Sequence, residues 1–575
     1  MKAIKRRPPR EIKDLRDMVI GSAFLYGDKP LYVYKDKETK QQVEFSYNRL
    51  RDEVEQFGTA LSTLDLIGAH IAVVGETSAK FTVTYLGTVN TNSVIVPLDK
   101  EVSIEQMVGF LNLAECQMIV YSSDFAGKLT ALAEQMPKLR FFVPMNGEDS
   151  VDSSLPHQPV VMPWEDILKL GKQGLENRDL SYSSRVIDKE KMCAILFTSG
   201  TTGTSKGVML CMKNLVTAAW ASCLTTPYDD TTRLVSVLPQ HHTYEMTCGH
   251  LAVINLGATA YINESLKYVM RNFANFKPNA LVLVPLFVET IYKRIWDEIR
   301  KKGKEKAVRT LMKVSDALLK IGIDLRAKFF GQILGALGGE VKTMICGGAP
   351  ISPQILKDFY SFGITIYEGY GITECAPLLA CNPPEVIPPR FGSAGKPVFG
   401  VDVKIEREDP RDETGEIVAK GDNVMLGYYK NDKATREVFT PREYYFRTGD
   451  IGYIDKDGYI FITGRKKNVI ILSNGKNVFP EELEEHLSHS TLIKESVVVG
   501  RKDEASGEIA ITALIFPDLD QFEGKSQDEI DTAIKDEVNK INRELPSFKH
   551  MTAVEVRTEE FEKTTSKKIK RFLYQ

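Results

Sequence analysis

The chain has 575 residues, 43% hydrophobic and 26% charged, with 74 Lys+Arg against 77 Asp+Glu. That apolar share excludes wholesale disorder, and the length calls for more than one core, because single cores stop growing near about 250–300 residues. A formal net charge of −3 argues against nucleic acid as a main partner, since neutralising phosphates takes a concentrated basic surface.

The amino terminus, Met1 to Arg10, is basic and lacks the apolar run of a secretory signal. Strand-like runs then alternate with helical patterns: Ile71–Val74, Ser93–Pro97 and Met118–Tyr121 are apolar and short, and Tyr47–Leu64 reads as a helix between strands. Such alternation predicts an α/β domain with a largely parallel sheet. The pattern returns at Leu281–Val284, Thr343–Cys346 and Thr365–Tyr367. Ala280–Val288 is the longest apolar stretch, well short of the ~20 residues that cross a bilayer.

Residues 291–329 read as helical, with twelve Lys/Arg against five Asp/Glu. This composition suits either a solvated helical face or a basic amphipathic surface for anionic lipid or a phosphorylated ligand. From Val401 the texture turns to short strands, Val401–Ile405 and Gly415–Val418, which predicts a small β-rich lobe. After Gly464-Arg-Lys-Lys467 a small α+β domain is expected, with a helix over Pro480–Ser488, a strand over Glu495–Val499 and a helix over Ser526–Glu544. Eight cysteines are scattered with no CxxC pair, which fits neither a disulfide framework nor a zinc site. A cytoplasmic protein is the simplest expectation.

Ile195 to Val208 (ILFTSGTTGTSKGV) runs from an apolar strand into glycines, hydroxyl residues and one lysine. Glycines let backbone N–H groups approach an anion, hydroxyls donate further bonds, and the lysine adds a point charge. These are the parts of a polyphosphate cradle. It is not a Walker A loop, because Ser205 and Gly207 stand where that motif needs Gly and Ser/Thr.

The loop resembles the phosphate-binding motif of the adenylate-forming superfamily, which includes acyl-CoA synthetases, luciferases and peptide-synthetase adenylation domains. Its segments recur in order over nearly the whole chain. The resemblance implies that Thr198, Ser199, Gly200, Thr201, Thr202, Gly203 and Lys206 hold phosphate, with Ser205 departing from the usual Pro. Leu238-Pro-Gln-His-His-Thr-Tyr244 matches a Pro-x-x-His segment that places His242, rather than its neighbour His241, beside the incoming carboxylate. Gly347-Gly-Ala-Pro350 matches an adenine-side turn containing Gly348 and Ala349. In Tyr367-Glu-Gly-Tyr-Gly-Ile-Thr-Glu374 the resemblance assigns Glu368, Gly369 and Gly371 to the nucleotide site, Tyr370 to adenine, Thr373 to the α-phosphate and Glu374 to Mg²⁺. It gives Asp450 to the ribose hydroxyls, Arg465 to ribose and phosphate, and Lys467 to an interdomain pivot. Leu472–Pro480 corresponds to a loop that swings in to build the thiol channel. The tail matches a Pro-Lys-Thr-x-x-Gly-Lys-Ile ending and places a catalytic lysine at Lys568, with Glu562 and Lys567 replacing the usual Pro and Gly.

The implied fold is α/β plus α+β. Residues 1–464 form a large domain of two α/β subdomains and a β-rich lobe, 465–467 a hinge, and 468–575 a mobile domain. The implied reaction joins a carboxylic acid to ATP, then passes the acyl group to the thiol of coenzyme A. The long span Pro285–Gly347, holding the basic helical insertion, resembles the long-chain fatty acyl-CoA synthetase branch. An acyl carrier protein as acceptor and a medium-chain or aryl acid as substrate are the competing readings; a non-catalytic nucleotide or acyl binder is a third. Peripheral contact with an anionic membrane is a further expectation.

Overall fold

Serine and aspartate residues mark where the helices of this chain begin. In a computed structural model, Ser46, Ser78 and Ser103 each accept a backbone N–H three residues on and open helices Tyr47–Thr63, Ala79–Val89 and Ile104–Leu113. Each satisfies a donor that the first helical turn leaves unpaired. Ser526 and Glu529 form a reciprocal capping box at Gln527–Asn542. The structure describes all residues except 1–8, 37–38, 153, 156–158, 199–204, 473–475, 503–508 and 564–568.

Two compact units are present. One contains the residues up to 402 together with 419–444; the other contains 403–418 and 445–575. The first holds an eight-stranded sheet whose centre is parallel: strands His70–Val74, Val94–Leu98, Met118–Tyr121 and Phe141–Pro144 pair in that sense. These strands are buried on both faces, which is why they read as continuous apolar runs rather than alternating ones. The sheet is largely parallel, as expected: Met192–Thr198 joins Val94–Leu98 in parallel, and only Lys206–Cys211 and Gly427–Tyr428 continue it as an antiparallel edge. An antiparallel return needs only a short connection, whereas a parallel one needs a crossover, usually helical.

A five-stranded sheet places Ala280–Leu283, Thr343–Gly347 and Thr365–Gly371 in parallel, then Leu378–Cys381 antiparallel. Strand Thr365–Gly371 is longer than its apolar start suggested, so Glu368 and Tyr370 lie within it. The expected basic helical stretch is several helices, among them Pro285–Lys301, Glu305–Lys320 and Arg326–Phe329. Their inner faces join a core with Trp296, Met312, Phe330 and Phe362. A third, four-stranded sheet joins Arg233–Ser236, Thr259–Ile262, Pro30–Lys35 and Gln42–Ser46.

In the second unit, strands Val401–Glu406, Gly415–Gly421, Phe446–Ile454 and Ile460–Arg465 form the β-rich lobe. The remaining residues build a separate core from Val478, Leu483, Leu487, Val498, Ile515 and Ile534 around a three-stranded sheet and helices Pro480–Ser488 and Gln527–Asn542. No helix among the described residues is long and apolar enough to cross a membrane.

Candidate active site

The site in the first unit starts from the hairpin Met192–Thr198 and Lys206–Cys211. Thr198 pairs with Lys206, and residues 199–204 between them, including Ser199, Gly200, Thr201, Thr202 and Gly203, lie outside the described residues. The Lys206 ammonium sits 4.7 Å from the ring centroid of Tyr428, held beside it by the pairing of Tyr428 with Val208. The Tyr428 hydroxyl donates to Glu374 Oε1 at 2.9 Å. Burial, and then the neighbouring Glu374 charge, raise the Tyr428 pKa, so the phenol stays a donor. A cation, an aromatic face and a carboxylate are thus lined up from three distant segments. Tyr428 carries no motif of its own; the sequence reading missed it.

Thr373 and Glu374 lie on a short helical turn whose course is fixed by backbone contacts. Met425 N–H donates to the Glu374 carbonyl at 2.8 Å, Thr247 Oγ1 to the Ala376 carbonyl at 3.0 Å, and Asn423 Nδ2 to the carbonyls of Cys375 and Leu378 at 3.1 and 2.6 Å. Gly371 is needed here, because a Cβ at that position would lie 2.2 Å from the Pro377 carbonyl oxygen. The Glu368 carboxylate accepts the Gly392 N–H at 3.0 Å, so this side chain braces the loop beyond the sheet.

Between these segments lies a narrow, largely apolar cavity. Gly347, Gly348, Gly369, Tyr370 and Gly371 line one part of it; Ala349 follows on the exposed turn. Ser222, Thr225 and Thr226 of helix Met212–Thr225 and its end, with Tyr244, Cys248 and Cys381, line the rest. The Tyr244 hydroxyl reaches the carbonyls of Leu283 and Ile345 at 3.2 and 3.3 Å, which fixes its ring as a wall.

The wall that carries Cys248 is a π-helical turn, Glu245–Leu251, a geometry that usually marks function. A buried polar relay lies behind it. Ser236 Oγ is 2.5 Å from Glu245 Oε1, His250 Nε2 is 3.7 Å from the same oxygen, and His250 Nδ1 is 2.8 Å from the Tyr32 hydroxyl. Tyr32 meets Thr82, which accepts from Gln240 Nε2 at 2.6 Å, and Gln240 Oε1 accepts the Ser78 N–H. Gly249 makes the fold-back of Glu245 feasible, since a Cβ there would lie 2.7 Å from its carboxyl carbon. Burial pushes Glu245 up to about 8 and His250 down to about 3. Both are therefore neutral near pH 7.

Gln240 precedes the two histidines. Their rings are 4.1 Å apart, and His241 Nε2 is 3.5 Å from Asp99 Oδ2, while the His242 carbonyl accepts the Met246 N–H. His241 is thus engaged with Asp99, a partner that the sequence did not indicate.

The second unit holds the remaining residues. Asp450, 3% exposed, pairs with Arg465 Nε at 2.8 Å across strands Phe446–Ile454 and Ile460–Arg465. Lys466 pairs with Glu416 at 2.8 Å, and Glu416 also accepts the Gly449 N–H. Lys467 is exposed on the following turn. Lys568 lies outside the described residues, but both flanks of its segment are held: Lys563 bridges Ile569, and Arg571 donates to Glu484 at 2.6 Å and to the Val498 carbonyl at 2.7 Å.

Among the described residues no cluster of three or more metal-ligating side chains occurs. Mg²⁺ is commonly held by one or two carboxylates, with substrate phosphates and waters completing its shell, and a lone carboxylate such as Glu374 is of that chemistry. The residues fit such an ion.

Comparison with known proteins gives the family and the fold. Residues 22–429 match the model of the AMP-binding enzyme family, and residues 467–573 that of the AMP-binding enzyme C-terminal domain. A chloroplastic long-chain-fatty-acid–[acyl-carrier-protein] ligase of Arabidopsis thaliana is 29% identical, over 87% of this chain and 76% of its own. The long-chain-fatty-acid–CoA ligase FadD15 of Mycobacterium tuberculosis is also 29% identical, over 81% and 76%. The anthranilate CoA ligase AuaEII in complex with anthranoyl-AMP superposes with a TM-score of 0.76 at 19% identity, covering 100% of this chain and 98% of that one. ATP-bound MatB from Rhodopseudomonas palustris gives 0.71 at 20%, covering 97% and 98%. At those identities the structural likeness is one of fold, and it is the adenylate-forming fold that the motifs implied. The family match spans most of the chain: this protein belongs to the AMP-binding enzyme family.

Proposed function

We propose that the enzyme activates a long-chain fatty acid with ATP to an acyl-adenylate, then transfers the acyl group to the thiol of coenzyme A, an acid–thiol ligation. The observation that carries this is the cavity on which Tyr370 and the Gly347–Gly348 turn converge with a largely apolar wall. Such a cavity gives an adenine-side edge and an acyl tail one shared reacting point.

In the first half, a carboxylate oxygen bonds to the α-phosphorus of ATP while the bond to pyrophosphate breaks. Two anions must meet, so the field of Lys206, the hydroxyls of Thr198 and Thr373, the 199–204 loop and Lys568 would lower that repulsion. Glu374 would hold Mg²⁺, which when bound neutralises phosphate charge. Tyr370 would face adenine, Asp450 and Arg465 the ribose, and His242 the acid. In the second half, the thiol sulfur bonds to the acyl carbon, AMP leaves with the electron pair, and the thiol proton passes to solvent. Rotation of residues 468–575 about 465–467, against 1–464, would exchange Lys568 for the 472–480 loop between the halves.

The carrier-protein thiol stays as a second acceptor, favoured by the likeness over 87% of this chain to an acyl-carrier-protein ligase. A long-chain acid partitions into membranes, so peripheral contact with an anionic bilayer belongs to the same reading. The deciding experiment incubates the protein with ATP, Mg²⁺ and acids from acetate to oleate plus a cinnamate, with and without CoA. Mass spectrometry then follows AMP and acyl-CoA. Long-chain thioester that depends on CoA supports the proposal. Acyl-AMP without thioester transfers the role of acceptor to a carrier protein, and absence of AMP with every acid overturns the reading.

A further inference from the structure

Helix Glu305–Lys320 is packed on one side only. Val308 and Leu311 pack against the core while Met312 and Ser315 are buried. On the opposite side Lys306, Lys313 and Lys320 recur every seven residues, so they lie along one line of the helix. Ala307, Val314 and Ile321 repeat the spacing one position on and form a second line beside it. Val314 is 46% exposed, Ile321 71% and Ile323, just past the helix, 44%.

The charge on this face is one-sided. Every carboxylate of the stretch is engaged away from it: Glu305 pairs with Arg300 and Arg309, Asp316 accepts from Ser361 Oγ at 2.9 Å, and Asp324 pairs with the buried Arg326. Lys302, Lys304, Lys306, Lys313, Lys320 and Lys328 have no ion-pair partner among the described residues. Cations left bare beside a row of exposed aliphatic side chains are uncommon on a purely solvated helix, where carboxylates ordinarily interleave them.

From this face we infer a docking surface for an anionic phospholipid bilayer. Val314, Ile321 and Ile323 enter the boundary between headgroups and acyl chains, and the lysines, with long flexible stems, rise to the phosphates on either side. An acidic protein partner would match the charge but gives no purpose to aliphatic side chains set singly along a convex helix, whereas a fluid lipid surface does. The inference deepens the lipid-substrate reading and rests on it only for its purpose.

The test is co-sedimentation with vesicles of phosphatidylcholine alone or mixed with phosphatidylglycerol, with no acid, ATP or CoA present. Failure of the ligase reading therefore leaves the outcome untouched. The native protein is expected to favour the anionic vesicles, with binding that weakens as salt is raised. Each lysine near such a surface contributes about fivefold, so Lys306→Glu, Lys313→Glu and Lys320→Glu together should lower partitioning about a hundredfold or more. Val314→Ser with Ile321→Ser should lower it about tenfold at unchanged circular dichroism. Equal binding to neutral and anionic vesicles overturns the inference. So does a triple variant that binds like the native protein, or one whose only change is a smaller assembly by light scattering, which would make the face an interface between copies of this chain.

Discussion

The two ends of the candidate site are built on opposite principles. At one end, Lys206, Tyr428 and Glu374 are a short chain of unlike groups, a cation over a ring whose hydroxyl donates to a carboxylate. At the other end, the π-helical turn carries Glu245 and His250 next to Tyr32, a cluster whose charge burial removes. The second gives a stiff wall whose dimensions are set by packing; its polar groups are only partly paired, since Glu245 Oε2 and His250 Nε2 have no hydrogen-bond partner among the described residues. Chemistry is therefore expected to be sensitive to charge at one end and to volume at the other.

The contrast is broken most directly at Glu374. Glu374→Gln keeps the size and the acceptor for Tyr428 but loses the negative charge; adenylation, followed by ATP–pyrophosphate exchange, should fall by about 10²–10³-fold. If exchange persists near the native rate, Glu374 is only a brace for Tyr428. At the other end, Cys248→Trp fills the cavity without touching charge. Activity with oleate should drop about a hundredfold while shorter acids are spared, because each methylene denied its place forgoes about 0.8 kcal/mol. A uniform loss across chain lengths would mean that this wall does not face the acyl tail.

Tyr428→Phe sharpens the comparison at the charged end. It deletes one hydrogen bond to a carboxylate, worth about 1.5–3 kcal/mol, so adenylation should fall by about 10- to 100-fold with oleate and octanoate alike. Chain-length dependence of that loss would tie the two ends together.

The smallest effect on turnover, and the most informative on stability, is expected from the relay. Glu245 has its pKa raised from 4.5 to about 8, so between those values the unfolded chain has lost a proton that the folded chain keeps, and stability falls as pH rises. His250, lowered from 6.5 to about 3, acts in the reverse sense: the unfolded chain gains a proton first, and stability falls as pH drops below 6.5. The two slopes cancel between 4.5 and 6.5, which gives a plateau with a fall on each side. Glu245→Gln should flatten the alkaline fall and extend the acid one upward to about 6.5, as read from denaturation midpoints against pH. Two unchanged arms would place the stability-determining titrations elsewhere.

The same contrast explains what could be read beforehand. The Met192–Cys211 hairpin, the Tyr370–Glu374 segment and the Asp450 strand stand out as segments in the sequence because their residues are contiguous and chemically distinctive. The wall does not. Ser222, Thr225, Cys248 and Cys381 come from separate segments, and as residue types they are indistinguishable from ordinary core positions. Tyr428 was hidden for a related reason: it reaches Lys206 only through the pairing of strand Gly427–Tyr428 with Lys206–Cys211, a long-range register that no local pattern announces. The largely parallel sheet is legible because alternation with helices reports the crossovers, whereas its antiparallel edge rests on the pairing of Met192–Thr198 with Lys206–Cys211, a segment read for its chemistry instead.

All eight cysteines are buried free thiols, and the last in the chain is Cys381. Burial pushes Cys223, Cys248 and Cys381 up to about 12, so in the closed protein almost none of their sulfur is in the thiolate form that reacts. Alkylation by iodoacetamide thus runs as a clock that advances only when the larger unit opens. Residues 403–418 and 445–575 contain no sulfhydryl and are silent to it. A single cysteine engineered onto the smaller unit would be the one fast-labelling position in the protein, ready for a fluorophore without removing any native thiol.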